Sequence, residues 1–417
     1  MDSIKITELF QSGCLRRVTW DVTANKYARL VLPSILDMDS LTLVDNEYAT
    51  PETFGAFMRL LATTQSLRYL RIEQEDLNPL LPELAATSWR WKENLTQLEL
   101  VSTRNAIYGN AAQSLREIVK IPQQLLVISF STQQQDFTQI FQALRQGLTD
   151  LQRISPQIHF RKVTMPSHEQ LYKNFAIPAR QSNVLTALQL HPFSYIAEHR
   201  YTDCRVDALF FAAIIILLQA TRLAELEITH IEASLQFRQQ NQTALFDKFK
   251  KALEQNRTLQ RLALWSTRGL QELWKQSIFP ALVTNRSLQR LEFAHVHTTA
   301  VTKSFLELLP QMTGLRYVQA PGRQTFGRLW LDRLHTLPAP QDLTVEFSLG
   351  AFSSTTFKEF TLVEQILRRN RLWLQSQYLL SKEKKAENIL TAMEAFGQDD
   401  EGLSAIFGVL RGSLWLF

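Results

Sequence analysis

NRTLQRLALWST runs from Asn256 to Thr267, and NRSLQRLEFAHV runs from Asn285 to Val296. The two phrases stand 285 − 256 = 29 residues apart. Near-identity at a fixed offset restricts the fold more than any bulk property, because it demands that one structural unit occur at least twice. The shared frame is L-x-x-L-x-L: Leu259, Leu262 and Leu264 in one copy, and Leu288, Leu291 and Phe293 in the next. The final L-x-L has the period of a strand, so its two apolar side chains share a face.

The same frame recurs along the chain. Upstream it falls on Leu15, Val18, Trp20; Met38, Leu41, Leu43; Leu67, Leu70, Ile72; Leu95, Leu98, Leu100; and Leu125, Ile128, Phe130. Leu151 with Ile154 reads as a degenerate copy. Leu185, Leu188, Leu190 and Leu223, Leu226, Ile228 follow. Leu315 with Val318, and then Leu343 with Val345, continue it weakly. First-position steps are 29, 28 and 30 residues from Met38 to Leu125, then 29 and 27 from Leu259 to Leu315. From Leu151 to Leu259 they lengthen to 34, 38 and 36, which reads as loop insertion.

Between the strands lie stretches of helical period. Thr50 and Pro51 suit a helix start, and Phe54, Phe57, Met58 and Leu61 follow on one face. Leu245, Phe246, Phe249, Ala252 and Leu253 repeat the pattern, as do Val301, Phe305, Leu308 and Leu309. Each unit therefore reads as strand, turn, helix, turn. One such unit cannot cover its own apolar face, whereas stacked neighbours cover it jointly. A fully buried leucine contributes about 1.5–3 kcal/mol. An ordinary open α/β sheet also alternates strands with helices, but its strands are continuous apolar runs rather than one returning leucine frame.

With these residues in view, the chain resembles the ribonuclease-inhibitor-like class of leucine-rich repeats. ALEQNRTLQRLAL and ALVTNRSLQRLEF carry the likeness, which extends over about Leu15 to Val345. The resemblance implies an α/β solenoid, curved, with parallel strands on the concave side and helices on the convex side. It implies a solenoid over 1–365 and a C-terminal helical cap over 366–417. The cap segment, with ILRRNRLWL from Ile366 and a final EGLSAIFGVLRGSLWLF, is similar to the ending of many leucine-rich repeat proteins of diatom-like algae. It departs from that pattern at Ser413, where proline is usual, and at Leu372 and Trp373, where Gly-Arg is usual. That likeness implies no activity. Physically, Ile389, Leu390, Met393 and Phe396, then Leu403, Ile406, Phe407 and Leu410, form two helical stripes able to cover the last open repeat.

Several function classes lose support. Hydrophobic residues make up 45% and charged residues 20%, which fits a packed fold and not disorder. Cys14 and Cys204 are the two cysteines, too few for a disulfide framework or a cysteine-rich zinc site. His295 and His297 sit two apart without an accompanying carboxylate cluster, so they read as loop histidines. Gly322 and Gly327 have phosphate-loop spacing, but Arg328 and Leu329 follow where lysine and a hydroxyl residue are needed. No catalytic, cofactor or metal residue is expected. Sequons occur at Asn94, Asn241, Asn256 and Asn285, and without secretion they carry no glycan. The N-terminal stretch lacks a long apolar core, so an intracellular, cytoplasmic location is expected. ALFFAAIIILLQA, from Ala208 to Ala220, is shorter than the about 20 residues of a membrane span and reads as a helix buried on most sides.

The x positions of the strands face away from the leucines. They carry Tyr69, Arg71, Gln97, Glu99, Glu227, Arg261, Trp265, Arg290, Glu292 and Tyr317. Tyr, Trp and Arg are the common energetic anchors of interfaces. The expected function is therefore a non-catalytic scaffold that binds another protein through this face; the sequence does not set an oligomeric state, and a monomer is the default. Two other classes have weaker support. A substrate adaptor of a ubiquitin-ligase-like assembly normally carries a helical module before the repeats, and about fourteen residues precede the first repeat here. An RNA-binding repeat protein would suit the net charge of +5, but the interleaved glutamates oppose phosphate.

Overall fold

The computed structural model describes residues 17–21, 39–45, 66–86, 94–121, 123–130, 137–151, 155–163, 167–190, 205–229, 232–233, 237, 242–265, 269–293, 298–321, 324–334, 343–348 and 363. The helix expected over 50–61, the loop histidines, both cysteines and the cap expected over 366–417 lie outside them. The chain divides into two compact units, Met1–His230 and Ile231–Phe417. Both are α/β, and in each the strands that carry the leucine frame pair in parallel.

In the first unit, eight strands pair in chain order: β1 (Arg17–Asp21), β2 (Ser40–Asp45), β3 (Tyr69–Gln74), β4 (Gln97–Ser102), β5 (Leu125–Phe130), β6 (Gln157–Val163), β7 (Ala187–Leu190) and β8 (Glu225–Ile228). The leucine frame sets the register. Leu41 faces Leu70, Leu70 faces Leu98, and Leu98 faces Leu126, so one row of aliphatic side chains runs across the sheet. These side chains are fully buried.

Two copies of the frame are corrected. On β5 the residues aligned with Leu98 and Leu100 are Leu126 and Ile128, so the frame is Gln123, Leu126, Ile128 and not Leu125, Ile128, Phe130. The run LLVIS is apolar on both faces, which hides the alternation. Gln123 takes the first leucine's place, buried, with its amide donating to Ile118 O at 3.1 Å. The step from Leu95 then becomes 123 − 95 = 28 residues. On β6 the inward residues are Ile158 and Phe160, aligned with Leu126 and Ile128. Leu151 precedes that strand and Ile154 lies outside the described residues.

Helices return the chain between strands. α1 (Leu80–Ala86) buries Leu80, Leu81 and Leu84. α2 (Gly109–Ile118) buries Ala111, Ala112, Leu115 and Ile118. α3 (Phe137–Thr149) buries Phe137, Ile140, Phe141, Ala143, Leu144 and Gly147. A Cβ on Gly147 would stand 2.4 Å from Arg116 O and 2.3 Å from the Val119 side chain. Only glycine permits α2 and α3 to approach this closely. Phe137, Phe141, Phe160 and Phe175 form a ring cluster with centroids 4.7–6.2 Å apart, which joins α3, β6 and the next helix.

That next helix, α4, covers residues 168–182 and widens into a π turn at Leu171–Ala176. In the second unit α7, residues 271–284, does the same at Trp274–Ile278. Each wide turn closes two residues before a proline, Pro178 or Pro280. Proline lacks an N–H and its ring clashes with the carbonyl four residues back, so the helix adjusts on its N-terminal side.

α5 (Ala208–Leu218) begins at Asp207, whose carboxylate accepts from Phe210 N at 2.9 Å. It buries Phe210, Phe211, Ala213, Ile214, Leu217 and Leu218. Leu209 is 43% exposed, and Ala212, Ile215 and Ile216 are half-buried. The helix is thus covered on one side, not on most sides as its composition suggests. Among the described residues no helix is long and apolar enough to cross a membrane.

In the second unit, β9 (Arg261–Leu264), β10 (Arg290–Glu292), β11 (Tyr317–Pro321) and β12 (Thr344–Ser348) pair in order. Leu262, Leu291, Val318 and Val345 form the aligned apolar row. α6 (Thr243–Gln255) buries Phe246, Phe249, Ala252 and Leu253, while Leu245 is half-buried. α8 (Thr299–Leu308) buries Val301, Thr302, Phe305 and Leu306, and Leu309 follows in a 3₁₀ turn. α9 (Gln324–Leu334) supplies Trp330. Trp274, Phe279, Phe293, Phe305, Trp330 and Phe347 form a chain of rings with successive centroids 5.1–5.8 Å apart.

The duplicated phrase has a local role. Asn256 ends α6, and its side-chain oxygen accepts from Thr258 N at 2.9 Å and Leu259 N at 2.7 Å. Asn285 ends α7 and accepts from Ser287 N and Leu288 N, both at 2.9 Å. Its amide donates back to Leu253 O at 2.6 Å and Asn256 O at 3.0 Å. Each asparagine therefore turns the chain from helix to strand, and the second also ties its turn to the turn before. Both are buried, which leaves no room for a glycan on either sequon.

Candidate functional site

The strand positions between the inward leucines form the opposite face of each sheet. In the first unit this face holds Tyr69, Arg71, Glu73, Gln97 and Glu99 on β3 and β4. Arg71 stands directly across from Glu99, and Tyr69 across from Gln97. Arg71 Nη1 donates to Glu99 at 2.8 Å, while its Nε and Nη2 donate to Glu73 at 3.2 and 2.7 Å. The Tyr69 hydroxyl donates to the other Glu99 oxygen at 2.8 Å. Burial, together with that bond to Glu99, pushes the Tyr69 phenol above its ordinary pKa. Glu99 is 4% exposed, so this carboxylate lies beneath Tyr69 and Arg71 and not at the surface.

Further along, Val127 is fully buried between its register neighbours Glu99 and His159. Burial pushes His159 below the ordinary imidazole pKa, which keeps it neutral at pH 7. Gln189 faces Glu227 and donates to it at 3.0 Å.

The second unit repeats the first unit's arrangement with other residues. Arg261 donates to Glu292 through Nε at 2.8 Å and Nη2 at 3.1 Å. Arg290 donates to the same carboxylate through Nε at 2.5 Å. Glu292 is 1% exposed. Burial alone would raise its carboxyl pKa, but the bonds from Arg261 and Arg290 outweigh it and hold the group below the ordinary value. The Arg290 guanidinium carbon lies 4.0 Å from the centroid of the Tyr317 ring, within cation–π range. Tyr317 donates its hydroxyl to Glu346, and its phenol is pushed up to about 12 by burial and by that carboxylate. Trp265 follows β9 directly and is half-buried.

The candidate residues fall into two groups, one per unit. Tyr69, Arg71, Gln97 and Glu99 come together in the first, with Glu227 separate on β8. Arg261, Arg290, Glu292 and Tyr317 come together in the second. One diagonal relation recurs. A residue at the first outward position of a strand donates to a glutamate two positions further on the next strand: Tyr69 to Glu99, Arg261 to Glu292, Tyr317 to Glu346. Glu346 and Gln189 did not emerge from the sequence as site residues. Glu346 follows Val345 in the weakest copy of the frame, and reading the diagonal one copy further would have found it.

Among the described residues no group of three or more His, Cys, Asp or Glu side chains could hold a metal ion. The arrangement is an α/β sheet face of arginines and aromatic rings laid over buried carboxylates. No protein-family model matches the chain, and no curated protein matches it.

Proposed function

We propose that this chain is a leucine-rich repeat protein of the ribonuclease-inhibitor-like class, a solenoid that serves as a non-catalytic scaffold and captures another protein through its strand face. The observation that carries this reading is the outward cluster of Arg261, Arg290 and Tyr317 over the buried Glu292, with Trp265 at the end of the neighbouring strand. Arginine and aromatic side chains held in fixed geometry lose little conformational freedom on binding, which favours their use as anchors. The leucine frame, the parallel strands and the asparagine turns support the repeat reading. The expected cap over 366–417 and the cytoplasmic location belong to the same proposal.

Affinity capture from lysate with the full chain tests it. Trp265→Ala and Arg290→Ala should leave circular dichroism and thermal unfolding close to wild type and should reduce recovery of the same partner band. Unchanged recovery across a set of such variants on both units' faces would remove the strand face as the binding surface. RNA is the competing ligand, and steep loss of binding with salt would favour it. The buried and exposed glutamates of both clusters count against a track of phosphates.

A further inference from the structure

Resting on the scaffold reading above, we propose that Arg290 is a prebuilt receptor for one carboxylate, the side chain of an aspartate or glutamate on the partner protein. The argument starts from how the guanidinium is held. Its Nε is fixed by Glu292 at 2.5 Å, and its plane is supported by the Tyr317 ring at 4.0 Å. Nη1 and Nη2 have no acceptor among the described residues, and 45% of the side-chain surface is exposed. Two parallel N–H donors in a fixed fork match the two oxygens of a carboxylate.

Arg71 provides the contrast within the same chain. Its Nε, Nη1 and Nη2 all donate to Glu73 and Glu99, so its fork is occupied. Arg261 likewise turns Nε and Nη2 onto Glu292. Arg261 and Arg290 share the buried carboxylate Glu292. Glu346, exposed beside Tyr317, sets a negative charge at the edge of the site, which opposes a backbone of closely spaced phosphates more than a carboxylate carried on a flexible side chain. Tyr317, with its phenol pushed up to about 12, remains a neutral support across the physiological range.

The test uses the full chain and fluorescein-labelled poly-L-glutamate, followed by anisotropy, with poly-U RNA as the second probe. Wild type should bind poly-L-glutamate more tightly than Arg290→Lys by about tenfold, since lysine keeps the charge and loses the fork. Tyr317→Leu should weaken binding by removing the support, and Tyr317→Phe should not. Arg180→Ala, an exposed arginine on α4, serves as the control for bulk charge and should bind as wild type does. Equal binding by wild type and Arg290→Lys would overturn the inference. So would a loss of equal size in Arg180→Ala, or poly-U binding as tight as poly-L-glutamate and equally dependent on Arg290. Partner capture that fails in Trp265→Ala while poly-L-glutamate ignores Arg290→Lys would end this inference and leave the scaffold standing. Poly-L-glutamate binding lost in Arg290→Lys, with partner capture untouched by every face variant, would leave Arg290 a carboxylate site but overturn its assignment to the partner and end the scaffold reading.

Discussion

Arg261 and Glu292 sit diagonally on adjacent parallel strands and share two hydrogen bonds, at 2.8 and 3.1 Å, with the glutamate 1% exposed. A carboxylate on a sheet face that a sequence reading assigns to solvent is here an internal part of the structure. Its neighbours are bound to it before any partner arrives.

Acid should therefore loosen the second unit. The folded-state pKa of Glu292 lies below its unfolded value. Between those two values the unfolded chain binds the proton and the folded chain does not, so stability present above about pH 4.3 falls as pH drops through the folded pKa. Urea unfolding from pH 6 to pH 3 should show this loss, and Glu292→Gln should flatten it. At pH 7 that substitution should cost about 1–3 kcal/mol. An identical pH profile in wild type and Glu292→Gln would contradict the assignment.

Alkali should act on Tyr317 in the opposite sense. Its folded-state value of about 12 exceeds the unfolded value of 10.0. The stabilisation is complete below about pH 10 and is lost as pH rises through the folded value. Ultraviolet titration of the tyrosinates should show Tyr317 ionising late, with the step absent in Tyr317→Phe. Glu346→Gln should lower that midpoint only in part, because burial is the larger cause.

Gly147→Ala should destabilise the first unit by about 1–3 kcal/mol, because the added methyl meets a backbone carbonyl that cannot swing aside. Gln146→Ala, exposed on the same helix, is the matched control and should be near neutral. Thermal unfolding followed by circular dichroism would separate the two. Equal midpoints would mean that α2 and α3 are less tightly apposed than described.

Asn285→Ala removes two amide bonds donated to carbonyls and the one oxygen that accepts from two strand-entry amides, all in a buried turn. The expected cost is about 2–4 kcal/mol. Asn285→Asp keeps the acceptors but sets a charge beside Leu253 O and Asn256 O, and should be no better tolerated. Urea unfolding would decide, and a neutral Asn285→Ala would show that the turn holds without its side chain.

Much of this architecture was legible in the sequence because an alternation of period two survives wherever one strand face is polar. Leu70 and Ile72, Leu98 and Leu100, and Leu262 and Leu264 all appear inward as read. The reading failed on β5, where Leu125, Val127 and Leu126 make both faces apolar and the period disappears. It missed the π turns, although Pro178 and Pro280 mark them, because a mid-helix proline signals a break without stating its form. Alternation sets Tyr69, Arg71 and Arg261 on the face opposite the inward leucines, yet it could not tell that Glu99 and Glu292 would be covered. Their burial depends on which side chain stands two positions back on the preceding strand, and that relation exists only once strands are aligned.

The diagonal pairing also bears on how units of this kind could be exchanged. Since Tyr69, Arg261 and Tyr317 each reach forward to a glutamate on the next strand, a module that carries such a residue ends half a strand later than its backbone suggests. Transplanting β10 without Glu292, or β12 without Glu346, would strand the hydroxyl or guanidinium of the strand left behind. Any recombinant array built from these coils would need its cut points placed after the glutamate, not at the helix turn.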